Sequence, residues 1–171
     1  MIYALGIIIL FVCFLFVFLF FKNSKLKDIK ESLDISINNI ERVLEEKLKL
    51  VNSLMEYVDD EKIKVKFKYK QEDTLVDRES ALFETSFDVN KYFKEKGVNG
   101  KNKDEIKGRI HALNILEEEL DGLKDFYNAN VIDYEEIFLK KYLNKLFRYL
   151  KYDDYKTFKI RKLEEYEIFK N

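Results

Sequence analysis

The sequence contains no proline and no tryptophan, and its 171 residues include five glycines, one cysteine and one histidine. Because proline interrupts helices, its absence permits helices of many turns. The single cysteine, Cys13, excludes an intramolecular disulfide and a cysteine-based metal site, and the single histidine, His111, excludes a histidine-rich metal centre. We therefore expect a mostly helical protein that carries no metal and no other cofactor.

Charges of the two signs are almost equal, with 31 basic and 32 acidic residues and a formal net charge of −1. This balance gives no basic surplus for binding phosphates, so we expect no nucleic-acid partner. Charged residues make up 37% of the chain, which is typical of long solvated helices. The length suits one domain and an anchor.

An apolar run opens the chain: residues 1–21 are MIYALGIIILFVCFLFVFLFF, and no side chain from Ile2 to Phe21 is charged. About 20 helical residues cross a hydrocarbon core of ~30 Å. The sequence thus predicts a transmembrane span from Ile2 to Phe21. It divides the chain into an anchor at residues 1–22 and a soluble domain at residues 23–171.

Two alternatives to a retained anchor are a cleaved signal peptide and the core helix of a soluble protein. A signal peptide has basic residues before its apolar run and small residues at its cleavage site. Here no basic residue precedes the run, which ends in Phe20-Phe21-Lys22. A core helix would need neighbours apolar enough to cover it on all sides. We therefore expect a single-pass protein of the cell membrane, in contact with lipid.

Lysines follow the span, at positions 22, 25, 27 and 30, whereas only the terminal amine precedes it. Basic residues next to a span stay on the cytoplasmic side, so we expect the C-terminal domain there. The same lysines suit anionic lipid headgroups.

A heptad-like stripe begins at Ile29 and predicts a long helix with coiled-coil character. Its members are Ile29, Leu33, Ile37, Ile40, Leu44, Leu48, Val51, Met55 and Val58. In residues 61–70, EKIKVKFKYK, apolar residues then alternate with lysine. This alternation is typical of a strand with one buried face, although an irregular stretch of helix or a short irregular segment near residues 62–70 is the alternative, and the sequence does not decide between strand and helix.

Two further helices are predicted, at residues 77–96 and from Lys103 to about Lys141, separated by a loop at residues 97–102 and with Asp104 as a cap. The second carries a stripe made of Ile106, Ile110, Leu113, Leu116, Leu120, Leu123, Tyr127, Val131, Tyr134 and Ile137. Amphipathic segments follow at residues 138–150 and 155–169. Burying both long stripes predicts one transmembrane helix followed by a long antiparallel helical bundle.

Two stretches resemble the LemA family. Ile40-Glu41, Leu44 and residues 50–54 resemble its first bundle helix, and residues 117–128 with Val131 and Tyr134 resemble its Glu-Asn-Arg-Ile motif and the Tyr-Asn pairs that follow. The resemblance implies a single-pass bacterial membrane protein with an antiparallel four-helix bundle. This chain departs from the pattern: Asn52 replaces a proline, Glu135 replaces an asparagine, the Phe-Pro is missing, and residues 61–70 have no counterpart.

Candidate positions for an interaction are Glu117, Lys124, Tyr127, Asn128 and Tyr134. The run from Glu117 to Glu119 has acidic side chains, but a solvated charged face beside Lys124 is the expected setting, and no catalytic pair is assigned. Tyr127 falls in the apolar stripe, so a buried ring with a bonded hydroxyl is expected, with a ligand contact as the alternative.

These observations favour a membrane-anchored, non-enzymatic domain that acts as a scaffold or binds other proteins, with self-association as a variant. The first alternative is an accessory subunit of a membrane complex, such as a protease, a transporter or a secretion apparatus. The second is a membrane-bound hydrolase that uses glutamate or tyrosine. The family that the sequence resembles has no established biochemical role, and the sequence identifies no partner.

Overall fold

The computed structural model of the chain describes residues 2–67, 69–98, 102–139, 155–159, 161 and 169. Four helices follow one another: α1 (Ile2–Met55), α2 (Glu61–Lys66), α3 (Leu75–Lys96) and α4 (Lys103–Leu139). These ranges contain no strand, so the described chain is mostly helical as expected. Packing divides it into two compact units, one made of Met1–Ile35 with Ala129–Tyr155 and one made of Ser36–Asn128 with Lys156–Asn171.

The first unit contains the apolar start of α1. The predicted span from Ile2 to Phe21 is helical, and it lies in the one described helix that is long and apolar enough to cross a membrane. Large apolar side chains project from it without cover: Ile7, Leu10, Phe14, Phe16 and Phe20 are each between 67% and 72% exposed. Such exposure is costly in water and favourable in lipid.

Farther along α1, the same unit has a buried stripe at Leu26, Ile29 and Leu33. Its part of α4 buries Val131, Tyr134 and Ile137 at the predicted spacing. The rings of Tyr134 and Tyr155 meet edge to face, with their centroids 5.2 Å apart. The predicted stripe positions in this unit are therefore core positions.

The second unit begins its chain reversal just after Met55, where turn hydrogen bonds from Tyr57 and Val58 replace the helical pattern. Of the two alternatives for residues 61–70, the strand is wrong and the helical one is confirmed for residues 61–66, which form α2. The Asp60 side chain accepts a hydrogen bond from the Lys62 N–H at 2.9 Å and caps this short helix. Val65 is 77% exposed, so the alternating apolar residues do not share one buried face.

Helix α3 starts and stops at residues suited to each end. Thr74 accepts a hydrogen bond from the Asp77 N–H and its hydroxyl donates to the Asp77 carboxylate, which satisfies the first turn. At the other end Gly97 has a φ of 72°, which glycine adopts at little cost, and its N–H donates to the Phe93 carbonyl. The predicted helix at residues 77–96 is thus confirmed, with its start two residues earlier.

Helix α4 confirms the prediction of a long helix from Lys103, and Asp104 lies in its first turn and not before it. The predicted segment at residues 138–150 falls almost entirely outside the described residues. In the predicted amphipathic segment at 155–169, residues 155–159 are not helical, and most of the remainder lies outside the described residues. Thr157 and Lys159 lie at the surface there, while Phe158 alone is buried among residues 156–159.

Contacts in the second unit give the relative directions of its helices. Helix α3 runs in the same direction as the later part of α1, because residue numbers rise together in the pairs that contact each other. These pairs are Glu41 with Arg78, Lys47 with Phe83, and Asp59, in the turn after α1, with Tyr92. Between α3 and α4 the order is reversed, since Glu79 pairs with Lys124 while Tyr92 and Ile106 line one cleft. Helix α4 therefore runs opposite to α3.

Candidate functional site

Oppositely charged side chains are buried together in the interior of the second unit. The Lys47 ammonium on α1 donates a hydrogen bond to Oε2 of Glu117 on α4, and the two residues are 0% and 1% exposed. Transfer of two unpaired charges from water to this position would cost several kcal/mol each, so each side chain depends on the other. This pair links α1 to α4.

Glu79 on α3 is the centre of a second pairing. Its Oε1 accepts hydrogen bonds from Lys124 Nζ and from Arg161 Nη2, both at 3.0 Å, and its Oε2 lies 2.8 Å from the same arginine nitrogen. Glu79, Lys124 and Arg161 are all buried. One carboxylate thus fastens α4 and the C-terminal part of the chain to α3. We call Lys47, Glu79, Glu117, Lys124 and Arg161 the buried ion cluster.

The Phe83 ring joins the two halves of this cluster. The Arg161 guanidinium carbon lies 3.6 Å from the ring centroid, and the Lys47 Nζ lies 5.7 Å from it. Both distances allow a cation–π attraction, which is stronger where water is excluded. The cluster holds three cations against two carboxylates, and the half-buried Asp121, 3.5 Å from Lys124, brings a third carboxylate to it.

Burial changes the pKa of one member of the cluster, Lys47. Loss of hydration lowers the pKa of the Lys47 ammonium below 10.5, and the opposing attraction of Glu117 does not fully offset this effect. A buried lysine with a lowered pKa gives up its proton more readily than one at the surface. In this arrangement the ammonium is already hydrogen-bonded to a carboxylate, so the geometry is that of a structural ion pair.

Glu117 and Lys124 were predicted to lie on a solvated charged face, and for these two residues the prediction is wrong. Both are buried, while Glu118 and Glu119 are exposed as expected. The predicted stripe passes through Leu116 and Leu123, which are only half-buried, and the buried positions are the next ones along the helix. Lys47, Glu79 and Arg161 were not predicted as site residues. Lys47 lies three residues after Leu44 and four before Val51, so its helical spacing to two apolar residues was an available signal.

The remaining predicted positions are also buried. Tyr127 packs its ring edge to face against Phe158, with centroids 5.2 Å apart, and burial raises the pKa of its hydroxyl above 10.0. Asn128 binds the main chain of Phe158 on both sides: its Nδ2 donates to the carbonyl at 3.0 Å, and its Oδ1 accepts from the N–H at 2.8 Å. Tyr134 packs on Tyr155 in the other unit described above.

A separate open cleft of about 590 Å³ lies where α3 ends and α4 begins. Its lining is partly aromatic and includes Tyr57, Tyr92, Phe93 and Ile106. The Lys96 ammonium lies 4.8 Å from the Tyr92 ring centroid, and the Tyr92 hydroxyl accepts a hydrogen bond from the Asp59 N–H. No candidate residue from the sequence lines this cleft.

Gly122 lies inside α4, where a glycine costs helix stability unless a close contact needs it. A Cβ atom at this position would meet nothing within 4 Å, so no described neighbour requires the glycine. In the ranges that the structure describes, no group of three metal-ligating side chains is placed to hold an ion.

Comparison of this chain with models of protein families, with curated proteins and with solved structures finds no match.

Proposed function

We propose that the chain is a single-pass membrane protein of LemA type, whose long antiparallel bundle lies on the cytoplasmic side and binds other proteins. The observation that carries the proposal is the exposure of the apolar start of α1. Phenylalanine and leucine side chains there are about two-thirds exposed within a helix that continues as far as Met55. A lipid environment accounts for an uncovered apolar surface of this length.

The orientation in the proposal rests on charge. Lys25 and Lys27 are exposed on the helix directly after the span. Retention of lysines on the cytoplasmic side then places the folded domain in the cytoplasm. The LemA assignment rests on the two motif stretches around residues 40–54 and 117–134, and it supplies the bundle architecture and the bacterial source.

A role in binding and not in catalysis is supported by the state of the ionisable side chains in the interior. Glu117 and Glu79, which are the buried carboxylates among the described residues of the second unit, are each hydrogen-bonded to a buried cation. A general acid needs a carboxyl group whose proton is available to a substrate, and these groups are engaged in packing helices together. A protein-binding domain held at the membrane uses such a rigid interior to present its surface.

Photo-crosslinking in intact membranes tests the proposal. A benzophenone amino acid replaces Ile115, which is 51% exposed on α4, and the same substitution at the exposed Val65 serves as the position control. We expect a discrete adduct with another protein from position 115, with the anchor intact. Adducts with lipid and with other copies alone would contradict the proposal, as would a saturable hydrolase activity of the purified protein. If the crosslinked partner belongs to a membrane protease, a transporter or a secretion apparatus, the chain is an accessory subunit of that complex.

A further inference from the structure

Phe158 and Arg161, from the C-terminal part of the chain, lie against α3 and α4. Residues 156–159 are not helical, and the side chain of Asn128 holds the main chain of Phe158. One asparagine amide satisfies both the N–H and the C=O of a single residue. A contact of this kind holds a segment without depending on its side chains.

Among the described residues from 156 to 161, Phe158 and Arg161 are buried. Phe158 is buried against the Tyr127 ring, and Arg161 reaches the Glu79 carboxylate while stacking on Phe83 at 3.6 Å. Lys156, Thr157 and Lys159 are exposed. The part of the segment that the structure describes is therefore recognised by an aromatic residue and an arginine three positions later.

If Arg161 moves away from the surface that holds it, the two buried carboxylates of that surface stay paired with lysines. Glu79 retains its hydrogen bond from Lys124, and Lys47 remains paired with Glu117. Departure of the segment thus leaves no carboxylate of the cluster without a cation, which is the most costly outcome for a buried charge. It exposes the Tyr127 ring, the Asn128 side-chain amide that binds main-chain groups, and the Glu79 carboxylate.

We infer that this face, formed by Glu79, Phe83, Lys124, Tyr127 and Asn128, is a recognition site for segments of the pattern Phe-x-x-Arg in a partner protein. The chain's own Phe158 and Arg161 occupy the site and compete with that partner. A tethered competitor has a local concentration in the millimolar range, so a partner binds well only when the contact with the tail is weakened. This inference rests on the proposed protein-binding function and names the chemistry of the partner.

The test measures fluorescence anisotropy of a labelled peptide with the sequence of residues 155–161, YKTFKIR, added to the full-length protein in detergent micelles. Phe158→Ala weakens the internal occupant and leaves the face intact. We expect this variant to bind the peptide at least tenfold more tightly than the unmodified chain does. Lys159→Ala, at an exposed position of the same segment, is the matched control and should behave like the unmodified chain.

Specificity is measured by substitutions in the peptide and in the protein. Replacing the phenylalanine or the arginine of the peptide with alanine should abolish binding to the Phe158→Ala chain. Adding Asn128→Ala to that chain should abolish binding as well, because the side-chain amide that binds main-chain groups is lost. Binding that survives these changes would place the peptide elsewhere and would overturn the inference.

Circular dichroism confirms that each variant is folded, and Arg161→Gln provides a second way to loosen the segment. Folded variants that bind the peptide no better than the unmodified chain would overturn the inference. So would loss of the fold in both variants, because the segment would then be an integral part of the core. A dimer that exchanges these segments would assign the face to a second copy and not to a partner. None of these results decides the crosslinking experiment. Failure of the peptide-binding inference is therefore distinguishable from failure of the proposed protein-binding function.

Discussion

Lys124 Nζ and Glu79 Oε1 lie 3.0 Å apart, and the two side chains are only 2% and 0% exposed to solvent. The pair connects α4 to α3 at a depth where neither charge is hydrated. Arg161 approaches the same carboxylate, so one glutamate organises two cations from distant parts of the sequence. The folded state of the second unit depends on this carboxylate more than on any surface pair.

Glu79→Gln should destabilise the protein by about 3–5 kcal/mol, because Lys124 and Arg161 would remain buried beside a neutral amide. Urea denaturation of the full chain in detergent micelles, followed by circular dichroism, measures the free energy of unfolding. Glu118→Gln is the matched control, since Glu118 is exposed, and its effect should stay within about 0.5 kcal/mol. Equal effects of the two substitutions would contradict the assigned role of Glu79.

The contact between Lys47 and Glu117 should give a large coupling in a double-mutant cycle. Lys47→Met and Glu117→Leu each strand one buried charge, whereas the double variant removes both charges. We expect the double variant to be less destabilised than the sum of the single variants, by up to about 3 kcal/mol. The comparison pair is Arg42 with Glu119, 2.6 Å apart but half-exposed, for which about 0.2–1 kcal/mol is expected.

The stability of the folded state should rise with pH in the alkaline range because of Lys47. Its pKa is lowered below 10.5 in the folded state by burial, so between the two pKa values the unfolded chain binds a proton that the folded chain does not. The free energy of unfolding contributed by this group therefore increases from the folded-state pKa up to about 10.5.

Lys47→Met should remove that rise, and the measurement is the difference between the pH profiles of the variant and the unmodified chain. Lys49→Met serves as the control because Lys49 is exposed on the same helix. A difference profile that is flat, or that falls with increasing pH, would show that Lys47 is not a desolvated ammonium in the folded protein.

Two glycines should respond in opposite directions to alanine. Gly97 has a φ of 72°, so Gly97→Ala places a Cβ in a conformation that L residues rarely adopt and should cost about 1–3 kcal/mol. Gly122 lies inside α4 with open space around its Cβ position, so Gly122→Ala should stabilise the protein by about 0.5–1 kcal/mol. Thermal unfolding of both variants checks the contrast. A destabilised Gly122→Ala variant would indicate a close contact at that position.

Periodicity was sufficient to predict the long helices, because an uninterrupted stripe without proline has few other solutions. The positions of Ile29, Leu33, Leu113 and Val131 in the core follow from it directly. The strand alternative for residues 61–66 failed because alternation gives the strand pattern only when partner strands are available. A capping aspartate and nearby α3 favour one short helical turn instead.

The buried ion cluster was less accessible to sequence reasoning. Charged residues usually lie outside, and the periodicity of a helix does not decide between neighbours such as Leu116 and Glu117. Each charge at a stripe position becomes tolerable only when a countercharge is supplied by another helix, and that pairing is a property of the tertiary structure. Asn128 was identified as a position of interest, but its partner, the main chain of Phe158, lies 30 residues away in sequence.

The position of the start of α1 within a lipid bilayer is tested by labelling the lone Cys13 with a water-soluble maleimide. Cys13 is exposed on the helix, so no described part of the chain shields it from the reagent, whereas a bilayer would. In vesicles opened to both sides, we predict no labelling before detergent denaturation and complete labelling afterwards. Ser24→Cys in a Cys13→Ser background lies just beyond the span and should react in both conditions. Labelling of Cys13 in undisturbed membranes at the rate of the position-24 cysteine would contradict the account.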